Sequence, residues 1–174
     1  MFNLKNENGL ERFIIMQAKE YDLALQEIKN GKKLSCWMWY IFPQIRGLGM
    51  SPISKVFGIA DIKEAIQYLQ NDTLKDNLIT ITKAVLDLGN VNITQVFGPI
   101  DDIKLKSSMT LFNEAENLSG INCGKYFIQI LNQFFNGEKD EKTLSILEIQ
   151  KKEKNDNNRI DINKNIEIEK KEDK

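Results

Sequence analysis

The strongest constraint on this chain is a recurrence of apolar residues at three- and four-residue steps, punctuated by residues that start and stop helices. Leu10, Phe13, Ile14, Gln17, Tyr21, Leu25 and Ile28 fall on one helix face, and Gly31 is placed to end it. Asp61 and Glu64 have the spacing of a capping box that opens a helix over Ile62–Gln70. Asp72 is placed to cap a helix through Leu74, Leu78, Ile81, Val85 and Leu88, with Gly89 behind it. Asp101 or Asp102 is placed to cap a helix through Leu105, Met109 and Phe112. Residues 124–135 are amphipathic through Phe127, Ile128, Leu131 and Phe135, and Asp140 opens a last helix carrying Leu144, Leu147 and Ile149. Two-residue hairpin turns between alternating runs do not occur. The one strand-like stretch, Trp37 to Phe42, is read as a short helix with an extended exit at Pro43, because a residue before proline avoids the helical region. These signals predict an all-α protein, a single compact globular domain of about six to eight helices built by helix-on-helix packing.

The length of 174 residues suits one domain, and 41% hydrophobic residues suffice for one core. Composition breaks near Gln150. Residues 151–174 hold fifteen charged residues, no aromatic one, and only Ile160, Ile162, Ile166 and Ile168 as apolar residues. Such a segment buries too little surface to offset its ordering entropy, so it is expected to be a disordered tail. The expected organisation is a flexible N-terminus over 1–8, a helical domain over 9–150 and a charged tail over 151–174. A partner-binding role for that tail is the functional alternative.

Histidine is absent. No imidazole can act as general base, proton shuttle or metal ligand, so Ser-His-Asp and Cys-His catalysis are excluded, as is any zinc site that needs histidine. Cys36 and Cys123 lie far apart and form no CxxC knuckle. One disulfide between them stays open, beside the plainer reading of two reduced thiols. No metal site and no cofactor motif is read. With 24 basic and 25 acidic residues the net charge is -1, so no basic face for duplex nucleic acid is expected. The polar N-terminus lacks the apolar core of a signal peptide, and the longest apolar run, Trp37 to Pro43, is too short to span a bilayer. A cytoplasmic protein is expected, with a nuclear location also open; no membrane partner is expected.

Chemistry concentrates in two segments. In the first, SCWMWYIFPQIRGLGMSPIS, Trp37 and Trp39 anchor a core or contact a ligand through their large faces. Gln44 and Arg46 then lead into Gly47-Leu48-Gly49, and Ser51-Pro52 reads as an N-cap with proline in the first turn. A glycine loop running into a helix start can hold an anion, or it can simply be a tight turn. In the second, FGPIDDIKLKSSMTLF, Lys104 has Ser107 and Ser108 as helical neighbours, with Asp101 one turn before. An ammonium and two hydroxyls can hold a phosphate, sugar or carboxylate; small side chains for close helix packing are the alternative. Gln17, on the apolar face of the first helix, either ties it to a neighbouring backbone or lines a pocket. Cys36 lacks a histidine to activate it, and Lys32 or Lys33 is a weak substitute. The acids, among them Glu27, are explained first as caps or solvated faces.

The same segments carry a family resemblance. Gln17-Ala18, Ser35-Cys36-Trp37-Met38-Trp39, Phe42-Pro43-Gln44, Gly47-Leu48-Gly49-Met50-Ser51, the run from Phe97 to Phe112, and the close from Gly137 to Leu144 resemble the family catalogued as domain of unknown function 1810. The resemblance spans about residues 8–149. It implies a compact, mainly helical domain and no particular activity. Cys36 stands where that family usually has histidine, so a mechanism requiring that histidine does not carry over.

Two functions are expected from these residues. The first is binding of a small anionic metabolite, nucleotide- or sugar-phosphate-like, in a pocket of Gln17, Trp37, Trp39, Gln44, Arg46, Gly47, Gly49, Ser51, Asp101, Lys104, Ser107 and Ser108. No residue is assigned a catalytic role. The second is a non-catalytic protein-interaction module that uses the tail.

Overall fold

The computed structural model describes the backbone of residues 9–172, with side chains described through residue 157. The expected flexible N-terminus over 1–8 lies outside the described residues. Among the described residues nine helices follow in order: α1 (Glu11–Lys29), α2 (Met38–Ile41), α3 (Pro52–Phe57), α4 (Ile62–Gln70), α5 (Asp72–Leu86), α6 (Ile93–Phe97), α7 (Asp101–Ser119), α8 (Tyr126–Phe134) and α9 (Glu141–Glu172). There is no strand among the described residues, only one isolated parallel bridge between Ile45 and Ile59. The chain is all-α, as its periodicity requires.

The capping logic holds in most places. Ser51 accepts from the Ser54 amide and opens α3 on Pro52. Asp61 accepts from the Glu64 amide, while Glu64 reaches back to the amide of Ala60, one residue earlier than in the standard box. Asp140 accepts from the Thr143 amide. Two assignments are corrected. Asn71, not Asp72, caps α5, through a bond from the Leu74 amide; Asp72 already has helical geometry in the first turn. The N-cap of α7 is Ile100, which carries no side-chain cap; Asp101 and Asp102 already lie in the first turn, Asp101 paired with Lys33 and Lys104 and Asp102 accepting from Thr94 Oγ1.

α7 is the central element and packs against α4, α6, α8 and α9. α1 packs on α5 and α2, and α5 on α4 and α8. The core between them holds Phe13, Trp37, Phe42, Tyr68, Phe112 and Phe127, all fully buried. The helical backbone also runs past the expected boundary at residue 150. Gln150 donates to the Ala60 carbonyl at 2.8 Å and Lys154 pairs with Asp61 at 2.8 Å, so the first turns after the composition break dock on the start of α4. Over residues 151–157 the backbone continues as helix, with every side chain exposed.

Candidate functional site

The site is built around α2 and the first turns of α7. α2 is one turn long, and two residues along a helix turn the side chain by about 200°. Trp37 and Trp39 therefore part company. Trp37 points inward and is fully buried, its indole Nε1 donating to Glu27 at 2.8 Å and its ring packed near Phe42 and Phe97. Trp37 belongs to the core and does not line the pocket. Trp39 is half-buried and faces outward.

Lys104, one turn into α7, places its Nζ 3.9 Å from the centre of the Trp39 ring. A cation over an indole face is held by the ring quadrupole. The same ammonium contacts Asp101 Oδ1 at 2.8 Å, and Asp101 Oδ2 contacts Lys33 Nζ at 2.7 Å. Burial would raise the Asp101 carboxyl, but hydrogen bonds from Lys104 and Lys33 hold it below the ordinary carboxylate value. Lys33 comes from the loop after α1, whose backbone is tied to α6 by the Lys33 amide on the Val96 carbonyl at 2.9 Å. These groups surround a cleft of about 410 Å³ lined by Lys33, Cys36, Met38, Trp39, Phe97, Gly98, Pro99, Ile100, Asp101 and Lys104.

Glu27 holds the loop in place. It is neither a solvated acid nor a cap: it is 6% exposed and accepts from the amides of Leu34 and Ser35, from Ser35 Oγ and from Trp37 Nε1. Burial works to raise its pKa, but these donors outweigh it and lower it to about 2. The buried carboxylate thus fixes the segment that carries Lys33, Cys36 and both tryptophans.

The other expected pocket residues go elsewhere. Gln17 is buried and fully used: Nε2 donates to the Tyr40 carbonyl at 2.7 Å and the Tyr68 hydroxyl at 2.8 Å, and Oε1 accepts from Asn77 at 2.9 Å. It ties α1 to its neighbours and lies outside the cleft. Ser107 is buried, bonded to the Ile103 carbonyl and Asp140, and Ser108 is fully buried. Both serve the packing of α7, which is covered on several sides, and neither lines the Lys104 cleft. Gln44 and Gly49 line a separate pit of about 10 Å³ on another side of Trp39, with Ser54 and Gly58. Gly49 is glycine because a Cβ there would stand 2.8 Å from Ser54 Cβ and Oγ. Gly47 has φ +106° and faces Ile146 of α9, Arg46 is exposed with its guanidinium on the Gly58 carbonyl, and Ser51 spends its hydroxyl on the cap. The glycine loop is thus a packed turn against α3 and α9, and an anion cradle on the six-residue α3 has no support in this geometry.

Of the expected pocket, Trp39, Asp101 and Lys104 come together. Lys33, Cys36, Phe97 and Ile100 are additional lining residues that spacing along the chain did not reveal. Cys36 and Cys123 are both free thiols, the first exposed and the second buried. Among the described residues no group of three or more acids and cysteines could hold a metal ion, and no helix is long and apolar enough to cross a membrane.

Fold and cleft together define an all-helical protein with a tryptophan-backed, lysine-lined cleft. The chain belongs to the DUF1810 family, described as a protein of unknown function, whose family model matches residues 7–147. It is similar to the crystal structure of the conserved hypothetical protein Rv1873 from Mycobacterium tuberculosis, with 39% identity over 79% of this chain and 95% of that chain and a TM-score of 0.74. No curated protein matches the chain.

Proposed function

We propose that the protein binds a small anionic metabolite in the cleft between α2, α6 and the start of α7, with a flat group stacked on Trp39. The observation that carries this reading is the placement of Lys104 Nζ 3.9 Å over the Trp39 ring, at the wall of a 410 Å³ cleft that Lys33 also lines. Pockets of this size with an apolar wall and a few converging polar groups are the usual form of small-molecule sites. Met38, Phe97, Pro99 and Ile100 supply the apolar wall; two ammonium groups against one carboxylate leave the cleft one positive charge in excess. A ligand whose anionic group draws Lys104 off the indole uncovers the ring face for stacking. Nucleotide-like and sugar-phosphate-like compounds combine these features.

A thermal-shift panel of nucleotides and sugar phosphates tests the proposal. A ligand that binds only the folded state raises the melting temperature. At least one phosphate compound should raise it, and Lys104→Ala and Trp39→Ala should each abolish the rise. No shift across the panel, or an equal shift in both variants, contradicts the reading.

A further inference from the structure

We infer that Asp101 is a built-in counter-ion that occupies the lysine pair until a ligand replaces it, and that it tunes the cleft toward dianionic phosphate monoesters. This rests on the cleft being a ligand site.

The geometry supports the assignment. The two oxygens of Asp101 are divided between two ammonium groups, Oδ2 to Lys33 at 2.7 Å and Oδ1 to Lys104 at 2.8 Å. A phosphate or carboxylate ligand bridging the same lysines would present two oxygens in the same way. Asp101 is not needed as a cap, since it forms no side-chain bond to the end of α7. It is only half-buried, 17% exposed at its side chain, so it has a route to water when displaced. Lys33 and Lys104 are 9% and 19% exposed, which keeps their charges little screened.

The consequence is a filter on ligand charge. With Asp101 in place, the two lysines and one carboxylate sum to one positive charge. A monoanion gains little by exchanging with a carboxylate of equal charge. A dianionic phosphate monoester brings twice the charge and wins the exchange. Asp101→Asn removes the competitor and raises the site to two positive charges, so affinity for the dianion rises.

The test is calorimetric titration of the full chain with adenosine 5′-monophosphate and, separately, with the uncharged nucleoside adenosine. The wild type should bind the monophosphate and not adenosine. Asp101→Asn should bind the monophosphate at least fivefold more tightly, and Lys33→Met should weaken it at least tenfold. If the wild type binds but Asp101→Asn binds equally or more weakly, Asp101 positions the lysines and the counter-ion assignment is overturned, while the cleft survives as a site. If neither the wild type nor Asp101→Asn binds a phosphate compound, the cleft reading falls, and the counter-ion assignment with it. Should Asp101→Asn fold poorly, Asp101→Ser in the same titration replaces it, with the same expected and contrary results.

Discussion

Trp37 and Trp39 differ by two positions and have different work to do. Trp37 is fully buried with its N–H satisfied by Glu27, so truncation leaves a cavity and removes one of the donors to the Glu27 carboxylate, which keeps the Leu34 and Ser35 amides. Trp37→Ala should cost ~3–5 kcal/mol in urea unfolding. Trp39→Ala should cost ~1–2 kcal/mol and act on ligand binding instead. Equal stability losses in the two variants would contradict the division of roles. Glu27 makes a second residue-scale prediction. Its pKa in the folded state is lowered to about 2, below the ordinary value of 4.5. A depressed carboxyl stabilises the fold above its unfolded-state value, and that contribution is lost as pH falls toward the folded-state value. Wild-type stability should therefore decline between about pH 4.5 and 2 with a component that Glu27→Gln lacks. Glu27→Gln should itself be ~2 kcal/mol less stable at pH 7, because its amide hydrogens face donors. A pH profile unchanged by the substitution would refute the cage of donors around Glu27.

Between elements, the caps decide boundaries, and they show how much of the fold the sequence made legible. α1, α5, α7, α8 and the start of α9 are legible from the recurrence of apolar residues and α4 from its capping box. α6 is not. It is five residues long, too short for a repeat, and its signals are only Asn92, which accepts from the Thr94 and Gln95 amides, and Gly98 at φ +82°. The Asn71–Asp72 pair was misassigned because either residue type can cap; only backbone geometry separates them. Asn71→Ala should lower stability by ~1 kcal/mol and Asp72→Ala by less than ~0.5 kcal/mol, measured by urea denaturation. The reverse order would restore the cap to Asp72. The candidate site was legible in part for a related reason. Trp39, Asp101 and Lys104 stood out as chemistry-bearing residues in unusual runs. Ser107 and Ser108 stood out equally, but α7 is packed on most of its circumference, and helical spacing alone does not say which neighbours cover which face. Lys33 entered the site through a loop fixed by Glu27 and Val96, a tertiary arrangement with no local signature.

For the whole molecule, the balanced net charge hides a local imbalance. The chain carries a net charge of -1, yet its 410 Å³ cleft sets two lysines against one aspartate. The absence of histidine removes imidazole chemistry from that cleft, so binding there runs on ammonium groups, a carboxylate and an indole face. α9 docks through Gln150 and Lys154 against the start of α4. An anion held by the lysine pair should bind more weakly as ionic strength rises, because part of its attraction is screened. The two tryptophans allow the central claim to be measured in the protein as it stands: Trp37 is sealed in the core, and Trp39 forms the cleft wall. Titration with adenosine 5′-monophosphate should change the Trp39 fluorescence saturably, and Lys104→Ala should remove that change without shifting the unfolding midpoint by more than a few degrees. Fluorescence that does not respond in the wild type, or responds equally in Lys104→Ala, would contradict the assignment of this cleft as an anion-binding site.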